Sequence, residues 1–221
     1  MKLTNIDRQI LKSYESVVEG ISQYLGPAYE VVLHSLEDYS HAAIRVFNGQ
    51  YSGRKEGAPI TDIALECLSR INESGNPFMN LIYSNTSRTG APMKSATFPI
   101  VGERERVIGL ICINFHTDIP LNVYTDNLFA FRNNAVVDET FAADTEELIR
   151  ASLDKAKSIV YNDVSIPFSL KNREIIAYLD RRNLFQLKDA VQKVADLMGI
   201  SKNTVYLHLR NLNNGKAEEE E

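Results

Sequence analysis

The stretch Val194–Arg210, VADLMGISKNTVYLHLR, decides how this chain is read. Ala195 is small where two helices must cross closely, and Gly199 stands just past the end of an apolar-periodic segment. A left-handed backbone is wanted there, and glycine adopts it without steric cost. Ile200 plugs the turn, and Ser201 offers a side-chain oxygen to the first amides of a second helix. In that helix Val205 and Leu209 share the inward face. Ser201, Lys202, Asn203, Thr204, Tyr206 and Arg210 are left outside, with His208 beside them. These residue types bond phosphates and base edges, and the spacing is that of a helix-turn-helix, whose second helix enters the major groove of DNA.

Two segments upstream belong with this motif. Lys171–Arg182 carries Ile175, Ile176 and Leu179 on one face, and Lys188–Met198 carries Ala190, Val191, Val194, Ala195 and Leu197. With Ser201–Leu212 they form a three-helix block spanning residues 166–215. Its charge supports a nucleic-acid partner: Phe168–Ala217 holds nine basic residues against four acidic ones, a local +5. The acidic end of the chain (216–221), whose charge lies in Glu218–Glu221, reads as a solvated, disordered tail. The net charge of −5 over 221 residues therefore conceals a basic block behind an acidic first part.

Before the block, Thr145-Glu146-Glu147 opens a helix through Leu148, Ile149, Leu153, Ile159 and Val160, with acidic residues at its start and Lys155 and Lys157 toward its end, as the helix dipole favours. Val123, Leu128, Phe129, Phe131, Val136 and Val137 are also helically spaced. Residues 121–165 read as a helical connector, with Asn162–Phe168 as a linker.

Residues 1–120 have a different rhythm. A helix runs from Leu3 to Leu25, capped by Asn5 or Thr4 and stopped by Gly26-Pro27. Strands follow at Tyr29–Leu36 and Ala42–Phe47, then the Asn48-Gly49 turn and a polar loop to Pro59. A helix through Ile63, Leu65, Leu68 and Ile71 ends at Gly75-Asn76-Pro77. Phe78–Ser84, Lys94–Val101 and Arg106–Phe115 read as strands, the last long and apolar enough to be central. Short turns favour antiparallel pairing, so the expectation is an α+β domain: an antiparallel sheet with helices on one face, followed by an all-α domain.

Several classes are excluded by what is absent. The longest apolar run, Val107–Phe115, has strand length, so no membrane span is expected. Charges stand in the first residues where a signal peptide would place its apolar run, which gives a cytoplasmic expectation. Cys67 and Cys112 read as two buried thiols, and the four histidines (34, 41, 116, 208) show no metal-ligand spacing. No metal and no cofactor are expected. No phosphate-binding glycine loop, nucleophile elbow or carboxylate pair appears, so an enzyme is not expected and no catalytic residue is assigned. The alternatives are a helical protein-interaction module without a DNA role, or a small-molecule-binding α+β enzyme.

The first domain nevertheless holds candidate ligand-binding residues. His34 shares a strand face with Glu30, and Arg54 lies in the glycine-bearing loop, where its guanidinium can grip a carboxylate. Lys94-Ser95 opens a strand and can donate to an anion; Tyr83, Thr97 and Asn114 are polar groups within apolar strands, able to line a pocket. Arg54 and Lys94 are expected to hold an anionic effector group.

The segments EVVLHSL (30–36), NGQYSGRKEGAPITDIAL (48–65), Lys94-Ser95 and VIGLICINF (107–115) resemble the YheO-like PAS domain, and the C-terminal block resembles the helix-turn-helix that accompanies it. The order of PAS-like block, connector and DNA-binding block also matches. The family consists of bacterial transcription regulators, and one branch resembles repressors of D-arginine utilisation. The resemblance implies a PAS sensor for a small-molecule effector, such as an amino acid or related metabolite, and a homodimer that binds operator DNA as a regulator, with repression the favoured direction. One helix-turn-helix reads one half-site, which is the physical reason to expect the dimer.

Overall fold

The computed structural model describes residues 1–87, 90–129 and 139–218, with side chains through residue 212. The helical continuation expected through Phe131, Val136 and Val137, and the tail residues Glu219–Glu221, lie outside the described residues. The chain divides into two compact units, residues 1–135 and 136–221.

The first unit opens with helix α1 (Asn5–Leu25). Of the two expected caps Thr4 is the one used. Its hydroxyl accepts the Asp7 amide while the Asp7 carboxylate accepts the Thr4 amide, a reciprocal capping box. Asp7 is fully buried, and it also accepts from the Glu103 amide (2.9 Å) and from Arg106 (2.7 Å). The backbone amides of Thr4 and Glu103, with Arg106 alongside, hold its carboxyl below the usual range. The start of α1 is thereby fixed to the turn joining the last two strands.

Strands β1 (Tyr29–Ser35), β2 (Ala43–Phe47), β3 (Leu81–Thr86), β4 (Pro92–Val101) and β5 (Val107–His116) form one antiparallel sheet in the order β2-β1-β5-β4-β3. The strand expected to be central is central. Helix α2 (Asp62–Ser74) lies between β2 and β3 in sequence; Thr61 caps it, and Gly75 ends it in the left-handed conformation (φ 66°).

One expectation is corrected. The helices do not share a face of the sheet. Successive strand residues point to opposite sides, and Val31, Leu33 and Ile111 pack with Leu11 and Val18 of α1, whereas Val32, Leu110 and Cys112 pack with Ala64, Leu68 and Ile71 of α2. The sheet is covered on both sides, and a pure α1-side reading leaves the even-numbered row of β1 unexplained. Helix α3 (Leu121–Phe129) completes the described part of this unit.

The second unit is all helix: α4 (Thr145–Asn162), α5 (Lys171–Asp180), α6 (Ala190–Met198) and α7 (Lys202–Glu218), with 3-10 turns at Phe168–Leu170 and Leu184–Gln186. Asp144, one residue before the expected start, caps α4 by accepting the Glu147 amide. Its apolar face, Ile149, Leu153, Ala156 and Val160, packs with Ile175, Tyr178 and Leu179 of α5 and with Ala190 and Val194 of α6. Four helices build this core where three were expected, and the segment read as a connector supplies one wall of it. Lys193 of α6 pairs with Glu146 of α4 at 3.3 Å, and Lys171 donates to the last carbonyls of α4.

Candidate functional site

Two sites stand out, one inside the first unit and one on the surface of the second. The first follows from sheet register. Glu30 of β1 faces Asn114 of β5, Asn114 faces Ser95 of β4, and Ser95 faces Tyr83 of β3. One row of polar side chains thus crosses the α2 side of an otherwise apolar sheet. The row is hydrogen-bonded from Ser95 to Glu30. Ser95 donates to Asn114 Oδ1 (2.8 Å), Asn114 Nδ2 donates to Glu30 Oε1 (3.0 Å), and Ser52, from the loop after β2, donates to Glu30 Oε2. Both carboxylate oxygens of a side chain only 1% exposed are occupied, as burial of such a group requires. Tyr83 meets Thr97 at 3.1 Å, and Thr97 meets the Cys112 thiol. Burial pushes the Cys112 thiol up to about 11 and the Tyr83 hydroxyl up to about 12, so both are neutral, inert groups at neutral pH.

Above this row lies a cavity of about 440 Å³. Its walls are the loop residues Ser52, Arg54 and Thr61, the start of α2 at Asp62 and Ile63, and Tyr83, Asn85, Met93, Cys112, Asn114 and His116 from the sheet. Arg54 donates to the Pro59 carbonyl at 2.7 Å and has no ion pair among the described residues. A half-buried guanidinium with spare donors in a cleft is a natural seat for an anionic group. His116 is 2% exposed, lies against the Tyr51 ring (4.9 Å between centroids) and has no hydrogen-bond partner at either ring nitrogen among the described residues.

Of the ligand-binding residues expected from sequence, Arg54, Tyr83 and Asn114 line the cavity. Ser95 stands behind it, orienting Asn114. His34 is wholly buried, with no hydrogen-bond partner among the described residues; burial, and then the nearby Arg54 charge, push its imidazole down to about 4. Lys94 is corrected: it is exposed and points to the opposite side of the sheet from Ser95, because neighbours in a strand alternate. Ser52, Thr61 and His116 were not read as site residues. Their signals were weak, a serine in a loop, a helix cap and a histidine at a strand end. Glu30 was noted only as a neighbour of His34.

The second site is α6, its turn and α7. Gly199 is left-handed (φ 65°), its amide bonds to the Asp196 carbonyl, and the Ile200 amide reaches the Ala195 carbonyl (3.0 Å). Ser201 accepts the Thr204 amide and so caps α7. Val205 is buried against Ile176 and Ala195, with Ile200, Leu209 and Leu212 around them. Ser201, Lys202, Asn203, Tyr206 and Arg210 are exposed, in agreement with the reading of the spacing. Thr204 and His208 are half-buried, and Thr204 is engaged with Ser201. Leu207, 46% exposed, adds an apolar contact beside this row that the sequence reading did not include.

Among the described residues no helix is long and apolar enough to cross a membrane, and no cluster of side chains suits a metal ion.

Comparison with known proteins places both units. Residues 4–130 match the YheO-like PAS domain, and residues 152–210 match an HTH domain. The chain is 38% identical over 210 residues to the uncharacterized protein YheO of Escherichia coli, covering 95% of this chain and 87% of that one. It is 34% identical to an uncharacterized protein of Haemophilus influenzae, with 95% and 94% covered. It is 23% identical to the transcriptional regulator DauR of Pseudomonas aeruginosa, with 93% and 95% covered. With its buried polar row inside an antiparallel sheet and a capped helix-turn-helix later in the sequence, the chain belongs to the YheO-like PAS domain family.

Proposed function

We propose that this protein is a transcription regulator that binds operator DNA through α7 and responds to a small anionic effector held in the cavity beneath Arg54. The observation that carries the reading is the outward row of α7. Lys202, Asn203, Tyr206 and Arg210 are presented by a helix whose opposite side is fixed by Val205 in a closed core. Nothing in the folding of the unit requires that set of side chains, and each bonds phosphates or base edges. The similarity to a transcriptional regulator supports the same reading.

On this reading the protein acts as a homodimer on a two-fold symmetric site, represses rather than activates, works in the cytoplasm and is not an enzyme. Residues 121–165 connect the two functions in the chain, α4 doing so while serving as part of the helical core. In the cavity, Arg54 takes the anionic group and the second amide hydrogen of Asn114 takes another oxygen of the effector. Effector binding shifts the population between two arrangements of the sensor.

The test is a gel shift of the full chain on the DNA upstream of its own gene, against an excess of unrelated DNA, repeated with small carboxylates. A specific complex that a carboxylate weakens is expected. Equal affinity for the unrelated DNA overturns the reading.

A further inference from the structure

We propose that the turn Gly26–Tyr29 is the relay by which a change in the sensor cavity reaches α3, and that Asn48 and Asn127 are the positioning residues on its two sides. The inference rests on the sensor reading above and goes beyond it.

On the cavity side, Asn48 begins the loop that supplies Ser52 and Arg54. It is held in the left-handed conformation (φ 56°), and its amide nitrogen donates to the carbonyls of Tyr29 (2.8 Å) and Gly26 (3.1 Å). The loop behind it is tight: a methyl group at Gly49 would stand 2.5 Å from the Arg54 carbonyl oxygen. Asn48 and Arg54 therefore shift together. The next residue after the turn, Glu30, receives Ser52 of the same loop.

On the other side stands Asn127 of α3. Its amide nitrogen donates to the Leu25 carbonyl at 3.1 Å and reaches that of Tyr24 at 3.4 Å, closing the end of α1 where carbonyls lack partners within the helix. Gly26 (φ 80°) makes room for it, and a side chain at Gly26 would overlap the Asn127 amide. A ring contact runs in parallel: Tyr29 stacks on Phe115 (4.7 Å), which meets Tyr124 of α3 (5.9 Å).

Apolar contacts tolerate sliding; an amide bonded to two carbonyls does not, because hydrogen bonds weaken steeply with angle and distance. Two such amides, one from the cavity loop and one from α3, hold neighbouring carbonyls of one short segment: Asn127 those of Tyr24 and Leu25 at the end of α1, and Asn48 those of Gly26 and Tyr29 in the turn that follows directly. Helix α3 is the last described element of the sensor before the chain passes to the helical unit. A displacement of the loop must break the Asn48 bonds or carry the turn with it, and the turn carries Asn127. Coupling of this kind is reciprocal.

Amide hydrogen exchange of the full-length chain, with no ligand added, tests it. Ser52→Ala is expected to raise exchange in the peptide covering α3 several-fold, and Asn127→Ala to raise it in the loop after Asn48, while β5 stays protected. Asn127→Asp, which keeps the size and loses the donor, serves as the second variant should alanine loosen the whole sheet. Thr125→Ala, which removes only a bond within α3, is expected to leave the loop unchanged. Changes confined to the mutated element in both directions overturn the relay. The gel shift judges the DNA-binding role separately, since exchange is measured without DNA.

Discussion

Both units have an apolar core, but among the described residues the buried polar and charged side chains all lie in the first. Asp7, Ser22, Glu30, His34, Ser35, Ser95, Thr97 and His116, all in the first unit, are the buried polar or charged residues among those described. The interior of the second is Ile149, Leu153, Ile175, Ile176, Leu179, Val194 and their like, with the Tyr178 hydroxyl as its one buried polar atom lacking a partner among the described residues. Burying a polar group costs stability unless it is bonded, and in the first unit Asp7, Glu30 and Ser95 are each hydrogen-bonded within the fold. The helical unit keeps its interior apolar and carries its chemistry outside. On the proposed function, one unit works from within and the other from its surface.

That contrast can be attacked from both sides. The largest effect is expected from Leu153→Ala, which truncates a side chain 1% exposed in the helical core. It should cost the helical unit about 2–5 kcal/mol, read by denaturant unfolding and by exchange of α4–α7, with the sheet unaffected. A cost under ~1 kcal/mol would return α4 to the rank of a linker. Next comes acid sensitivity of the sensor. His34 has a folded value of about 4 against an ordinary 6.5. It is neutral in the folded state at neutral pH, and as pH falls from 6.5 to 4 the unfolded chain takes up a proton that the folded one refuses. Stability is therefore lost through that window, on the order of 3 kcal/mol, and levels off below it. His34→Leu should flatten this dependence in pH-resolved melting of the sheet unit while the helical unit keeps its own profile. Third, Lys202→Ala with Arg210→Ala should weaken operator binding by roughly 10–100-fold and reduce the slope of log affinity on log salt by about 2, with the melting temperature unchanged. Unchanged binding would move the DNA contact away from α7. The smallest effect belongs to Ser201→Ala, which removes the α7 cap and should cost about 1 kcal/mol in the helical unit alone.

The surface-acting unit was the more legible in sequence. Gly199, Ser201 and Val205 announce a turn, a cap and a core contact through local rules, and the exposed face follows from helical periodicity alone. What escaped there was non-local: the apolar face of α4 has the same spacing whether it seals a core or a dimer contact, so its partner was invisible. The sensor gave up its strands, its antiparallel pairing and its central β5, but its site depends on register. Ser95 next to Asn114 next to Glu30 is a fact of pairing across three strands, and nothing in the separate segments fixes it. The same alternation that placed Ser95 in the site put its neighbour Lys94 on the far side. Arg54 was singled out because its guanidinium, in a glycine-bearing loop, can grip a carboxylate; Ser52, two residues away, looks like any loop serine until Glu30 is beside it.

The hydrogen-bonded row Ser52–Glu30–Asn114–Ser95 has a consequence for how such proteins diverge. Substitutions on the exposed side of α7 change little in folding, usually within about 0.5 kcal/mol, so that side can change one residue at a time. A member of the row has no such freedom. Replacing Asn114 alone leaves one oxygen of the buried Glu30 carboxylate and the buried Ser95 hydroxyl without their partner, and matched changes at Glu30 and Ser95 are needed to restore the balance. On the proposed function, DNA targets in this family should therefore diversify gradually, and effectors in coordinated jumps.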